Sequence, residues 1–229
     1  MLSTWKQIFT RRAQRLLWIY LHDNFVIETM GDVRVLEANI KCAFVRIDLN
    51  NYYRVQEFRQ ERRVAEYRQK IGNGELGYFA VCNDTMVGSI WATTNHKRVR
   101  SVVRMHMPLM PNEALIHDIV TAGSLRGMGV GPFMVGRMAS TLLDEYRIKR
   151  IIIDVSCRNR PSLRMMEKIG LQSKERVLSV SLFSKLAFRK ALKPVSAHAF
   201  WRRGAGFRKE NRQSDEAKWK IRCSDRRTH

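Results

Sequence analysis

Residues 126–131 read Arg-Gly-Met-Gly-Val-Gly, and a proline follows at 132. Glycines this dense let successive backbone N–H groups converge on one point, which is the chemistry of a phosphate or pyrophosphate cradle. A helix beginning near Pro132 adds unpaired amides and the positive end of its dipole. Arg126 adds a cation. Spacing removes two common phosphate motifs. The dinucleotide pattern G-x-G-x-x-G needs glycine at 132 or 134, where Pro132 and Met134 stand. The pattern G-x-x-x-x-G-K-[ST], started at Gly131, reaches Gly136 but meets Arg137 and Met138. What remains is R-x-x-G-x-G between a strand and a helix, with a ligand-free turn as the alternative. Asn159 heads a second segment of interest. As an N-cap before Pro161, it starts a helix that Gly170 ends.

These groups need elements to position them. The apolar run 115–122 is a strand leading into the glycines. Residues 131–147 read as a helix with Met134, Met138, Leu142 and Leu143 as its stripe. The continuous apolar run 150–156 is a buried strand, 158–171 a helix, and 176–183 a last strand. Upstream, 33–51 reads as one or two strands, and 52–70 as a charged surface helix or helix pair stopped by Gly72-Asn73-Gly74. Residues 77–95 read as a hairpin turning at Asn83-Asp84. Residues 1–24 read as an amphipathic helix with Trp5, Ile8, Phe9, Leu16, Leu17 and Ile19 on one side. The order implies an α/β (α+β) sheet with helices on its faces.

A hydrophobic content of 45% and five tryptophans can build a core for a chain of 229 residues. The expected division is an N-terminal extension (1–40), a central domain (41–189) and a basic, loosely ordered tail (190–229). The four cysteines, Cys42, Cys82, Cys157 and Cys223, are scattered singly. Neither a disulfide framework nor a metal site is indicated, in keeping with a reducing, cytoplasmic setting. The net charge is +21, and residues 184–229 hold 14 Lys+Arg against 4 Asp+Glu. Such a field favours polyanions: nucleic acid, anionic lipid or phosphorylated small molecules.

Arg126–Gly131 resembles the acyl-CoA pyrophosphate loop of the GNAT (GCN5-related N-acetyltransferase) superfamily. Asn159-Arg160-Pro161-Ser162 through Glu167-Lys168-Ile169-Gly170-Leu171 is similar to that family's asparagine-led helix and its closing turn. The strand 150–156 lies between the two motifs, and the resemblance covers about residues 42–183. It implies a mixed, mostly antiparallel sheet with helices on both faces. A V-shaped split between two parallel strands, here 115–122 and 150–156, would admit the pantetheine arm of acetyl-CoA as co-substrate.

By this resemblance, backbone groups of Val120, Thr121 and Ala122 pair with the arm. Arg126, Gly127, Met128, Gly129, Val130 and Gly131 hold the pyrophosphate. Asn159 contacts the cofactor or acts only as an N-cap. Asp118 matches the position of a strand carboxylate that takes the proton of an acceptor amine. Alternation along a strand puts Asp118 on the face of Ile116 and Val120, and His117 on the other with Leu115 and Ile119. Apolar neighbours should raise the Asp118 pKa, which suits a base near neutrality. His117 is the competing base. Met166 stands where many members carry a tyrosine acid, so Ser162 or water would protonate the leaving thiolate.

The implied activity is transfer of an acetyl group from acetyl-CoA to an amine of a small molecule or sugar. The basic segment 95–114 (Lys97, Arg98, Arg100, Arg104) could seat an acidic or phosphorylated acceptor. Two other classes stay open. One is a nucleic-acid or ribosome-associated protein using the tail, with Trp201, Phe207 and Trp219 among arginines. The other is a CoA-binding regulator of weak catalysis, suggested by Met166. A membrane-surface contact through 1–24 and a homodimer are further partner expectations.

Overall fold

A computed structural model describes residues 17–95, 109–182 and 186–192. Residues 1–16, the cations Lys97, Arg98, Arg100 and Arg104, and the tail beyond Leu192 lie outside the described residues. All described residues fall within one unit that ends at Pro194.

Eight strands form one sheet in the order β2-β3-β4-β5-β6-β1-β7-β8. They are β1 (Leu17–Ile27), β2 (Ala43–Arg46), β3 (Leu76–Cys82), β4 (Thr85–Thr94), β5 (Glu113–Thr121), β6 (Arg150–Ser156), β7 (Ser173–Leu182) and β8 (Leu186–Leu192). Every neighbouring pair is antiparallel except β5–β6, which is parallel. Among the described residues, three α-helices accompany them: α1 (Arg63–Gly72), α2 (Val130–Ser140) and α3 (Arg160–Lys168). This is the expected mixed sheet with helices on its faces.

Local chemistry explains several boundaries. Asn83 and Asp84 both take positive φ, 46° and 58°, which a two-residue type I′ hairpin turn requires. Gly74, at φ 76°, follows the Asn73 cap that closes α1. The helix expected over 131–147 is α-helical only to Ser140. A π-turn over Thr141–Glu145 finishes it.

The two sheet faces carry different cores. Trp91 meets Tyr67 of α1 edge-on at 5.1 Å, and Phe79, Val55, Ile47 and Met86 complete that cluster. Residues of the opposite parity face α2. A Cβ added at Gly88 would lie 3.1 Å from Met134 Cε.

One expectation fails outright. The second part of the helix expected over 1–24 is strand β1, inserted between β6 and β7. Its register runs from His22↔Ser156 to Ile27↔Ile151 on one side and starts at Leu17↔Leu182 on the other. Residues His22–Ile27 are all buried, because a central strand is covered on both faces and hydrogen-bonded on both edges. Within 33–51, only Ala43–Arg46 joins the sheet. Residues 33–42 cross the helices instead. Arg34 N donates to Ile169 O and Asn39 N to Met128 O, each at 2.8 Å. Among the described residues, no helix is long and apolar enough to cross a membrane.

Candidate functional site

β5 and β6 pair over four residues only, from Glu113↔Arg150 to Ile116↔Ile153. Beyond this, β5 follows β4 as far as Thr121, and β6 follows β1 as far as Ser156. Residues 117–121 and 154–156 therefore have no pairing with each other, which leaves a split between two parallel strands. The β4–β5 register shifts between Ser89 and Trp91, opposite Asp118. Asp118 takes φ 48°, a left-handed conformation that aspartate tolerates better than most residues.

The glycine turn lies just beyond the end of β5. Gly127 and Gly129 take φ 87° and 82°, and Gly129 is the N-cap of α2. Among the described residues, the amides of Gly127 and Gly129 donate to no main-chain carbonyl. Val130 and Gly131, as the first two helical residues, have no intrahelical acceptor for their amides. These four donors suit an anionic pyrophosphate. Arg126 is exposed beside them. Met128 fits the cradle less well than expected. Its amide points to Leu125 O at 3.3 Å, while its carbonyl accepts from Asn39. Gly131 also serves packing, since a Cβ there would lie 2.7 Å from Met165 Sδ of α3.

Of the three residues expected to pair with the pantetheine arm, Ala122 donates its amide to Val87 O at 2.8 Å. The Val120 carbonyl lies against Gly88 of β4. Main-chain groups alternate sides along a strand, so Thr121 is the one of the three turned towards the split.

The bulge overturns the alternation expected at 117 and 118. Both side chains reach the face covered by α1. Asp118 Oδ2 accepts from Lys70 Nζ at 2.5 Å, and both its oxygens lie 3.1 Å from Arg59 Nη1. The same Arg59 nitrogen donates to Tyr67 Oη, which contacts Ser89 Oγ. The expected rise in the Asp118 pKa is reversed. Burial pushes the carboxyl up, but the charge and hydrogen bond of Lys70, then those of Arg59, outweigh it. The net pKa lies below the ordinary 3.8.

His117 Nε2 is 3.1 Å from Thr93 Oγ1 and 3.1 Å from Glu75 Oε2. The carboxylate contact is at ion-pair distance but poorly aligned for a hydrogen bond. Burial pushes the His117 pKa down, and Glu75 restores only part of it. The ring is therefore neutral near pH 7 and sealed from solvent, which suits a structural role better than that of an exposed base.

Asn159 Oδ1 accepts from Ser162 N at 3.3 Å, so the side chain is the N-cap of α3. Ser162 sits in the first turn of α3, partly exposed. Met166 is fully buried. Among the described residues, no group of His, Cys, Asp and Glu could hold a metal ion. The sequence reading missed Arg59, Lys70, Glu75 and Thr93. Arg59 and Lys70 look like any other cations of the charged run 52–70, and only the fold turns them inward.

The sequence model of the acetyltransferase (GNAT) family matches residues 43–171. The chain belongs to this family. Solved structures share its fold. One is a GCN5-related glucosamine N-acetyltransferase region of a fungal multi-domain beta-N-acetylglucosaminidase, with TM-score 0.52 and 16% identity over 82% of this chain and 22% of that one. A GNAT-family protein from Novosphingobium aromaticivorans gives 0.50 and 10% over 72% and 64%. A Drosophila protein gives 0.51 and 12% over 79% and 56%. The chain thus spans less than two thirds of each of these proteins. No curated protein matches its sequence.

Proposed function

We propose that this GNAT protein transfers an acetyl group from acetyl-CoA to an amine of a small molecule or sugar. The observation that carries the reading is the end of β5–β6 pairing at Ile116↔Ile153, beside a bulged carboxylate and one short segment from the glycine turn. The amides of Gly127, Gly129, Val130 and Gly131 would hold the pyrophosphate of the co-substrate. Thr121 would pair with the arm, and bound acetyl-CoA supplies the activated thioester. Asp118, paired with Lys70 and Arg59 in the free chain, would then orient the acceptor ammonium in place of Lys70 and relay its proton to water. Its depressed pKa makes it a stronger electrostatic anchor than proton store. Met166 offers no proton. A leaving alkyl thiolate with a pKa of about 8.5 needs only water or Ser162.

The likeness to a fungal glucosamine N-acetyltransferase region makes amino sugars the first acceptors to assay. Polyamines, amino acids and protein N-termini complete the panel. Acetyl-CoA should raise the melting temperature, and Gly129→Glu should abolish the rise. Asp118→Asn should lower turnover about 10²–10⁴-fold while binding survives. No stabilisation at millimolar acetyl-CoA refutes the proposal. The double ion pair on Asp118 favours a second reading, a CoA-binding regulator. Stabilisation without turnover on any acceptor selects that reading.

A further inference from the structure

A carboxylate between aromatic faces is a receptor for an ammonium ion. The face of the sheet under α1 contains one, built from Asp118, Tyr67 and Trp91. The chain itself occupies it. Lys70 Nζ lies 2.5 Å from Asp118 Oδ2, 5.5 Å from the Tyr67 ring centroid and 5.0 Å from the Trp91 ring centroid. The Lys70 side chain is only 8% exposed. A lysine in the last turn of a surface helix normally keeps its ammonium in water. Here it turns into the sheet. Arg59 holds the other side of the same carboxylate, so the amine is fixed on Asp118, two residues past the last β5–β6 pair.

If the acyltransferase reading above holds, the thioester enters between β5 and β6 and emerges beside residues 117 and 118. The amine waiting there is Lys70. We infer that Lys70 is an internal acyl acceptor, acylated by acyl-CoA within its own chain. In the reaction the Lys70 ammonium gives one proton to Asp118, which passes it to solvent. The Nζ lone pair forms a bond to the thioester carbonyl carbon, and the carbon–sulfur bond breaks. The CoA thiolate leaves with the sulfur electron pair and takes up the second nitrogen proton. The products are Nζ-acyl-Lys70, CoA thiol and one released proton. No oxidant or further reactant is needed. An acylated Lys70 carries no charge, and Asp118 then keeps Arg59 as its ion-pair partner.

The test incubates the full chain with isotopically heavy acetyl-CoA. Peptide mass mapping reads Lys70, and thermal shift in the same samples reads cofactor binding. Lys70 should gain one acetyl group at a rate unchanged by tenfold dilution of the protein. It should do so at least tenfold faster than exposed Lys149 and Lys174. Lys70→Arg should remove the label at that position, and urea-unfolded chain should show no preference for Lys70. Asp118→Asn should slow labelling at least tenfold. Because that variant leaves two inward cations unpaired and can loosen the fold, Asp118→Glu serves beside it and should retain part of the rate. Thermal stabilisation without Lys70 acylation overturns the inference alone. Labelling no faster than at Lys149, or a rate that scales with protein concentration, also overturns it. Absence of both stabilisation and labelling overturns the acyltransferase reading and this inference with it.

Discussion

Replacing Gly129 by alanine tests the glycine turn at the backbone level. Gly129 is held at φ 82°, where an L-residue costs about 1–2 kcal/mol. The new Cβ would also stand 3.3 Å from Ala38 Cα and 3.4 Å from Glu37 O. Those are backbone atoms of the crossing segment, so they yield only if the segment moves. Movement strains the Asn39 N–Met128 O bond of 2.8 Å, worth about 1 kcal/mol. The expected loss is about 2–3 kcal/mol, or roughly 4–12 °C of melting temperature for a domain of this size. Gly127→Ala is the matched control. It has the same class of φ, 87°, but nothing within 4 Å of the added Cβ. It should lose only the conformational part, about 1–2 kcal/mol. Urea denaturation of both variants reads the difference directly. Equal losses would refute the packing of residues 37–39 on the turn. A neutral Gly129→Ala would refute the left-handed cap itself.

Three further outcomes follow from the same geometry. His117 has a folded pKa below its ordinary 6.5, so its unfolded form binds more protons and stability should fall as pH drops through and below 6.5. His117→Gln should flatten that acid limb in pH-dependent denaturation. Asn159→Ala removes the cap on Ser162 N and should cost about 1 kcal/mol; a titration with unchanged acetyl-CoA affinity would mark Asn159 as a cap only. Ile27, fully buried where β1 meets β6, should cost about 2–5 kcal/mol when cut to alanine, measured by urea unfolding; an unchanged stability would refute its place in the core.

What the sequence shows well is what short-range chemistry decides. The strand at 150–156 falls at its expected bounds because a continuous apolar run has no solvated face to offer. The hairpin turns at Asn83-Asp84 because those two residues accept positive φ. Strand β1 was hidden for the opposite reason. Its apolar residues fit a helical stripe as easily as a buried strand, and its partners lie far along the chain; Asn24 bonds Glu175 across 151 positions. Asp118 shows a different limit. Regular alternation assigns it to one face and His117 to the other, and one bulge cancels that assignment. The pKa inference failed with it, because the two cations that control Asp118 come from a helix and a turn some fifty residues upstream.

The described part of the N-terminal segment, residues 17–42, precedes the family match that begins at residue 43, yet it touches both halves of the candidate site. β1 holds the outer edge of β6 over six pairs, from His22↔Ser156 to Ile27↔Ile151. β4 holds the outer edge of β5. Each strand of the split is thus anchored away from the other, and the inner edges stay unpaired without a ligand to hold them open. The chain then leaves β1 and crosses the end of α3 at Ile169, packs Val35 on Gly136, and bonds the glycine turn at Met128. The split and the turn would serve the two ends of one extended co-substrate. A single covalent segment spanning both fixes their separation, so a change in this stretch should alter cofactor binding without touching any residue that contacts the cofactor.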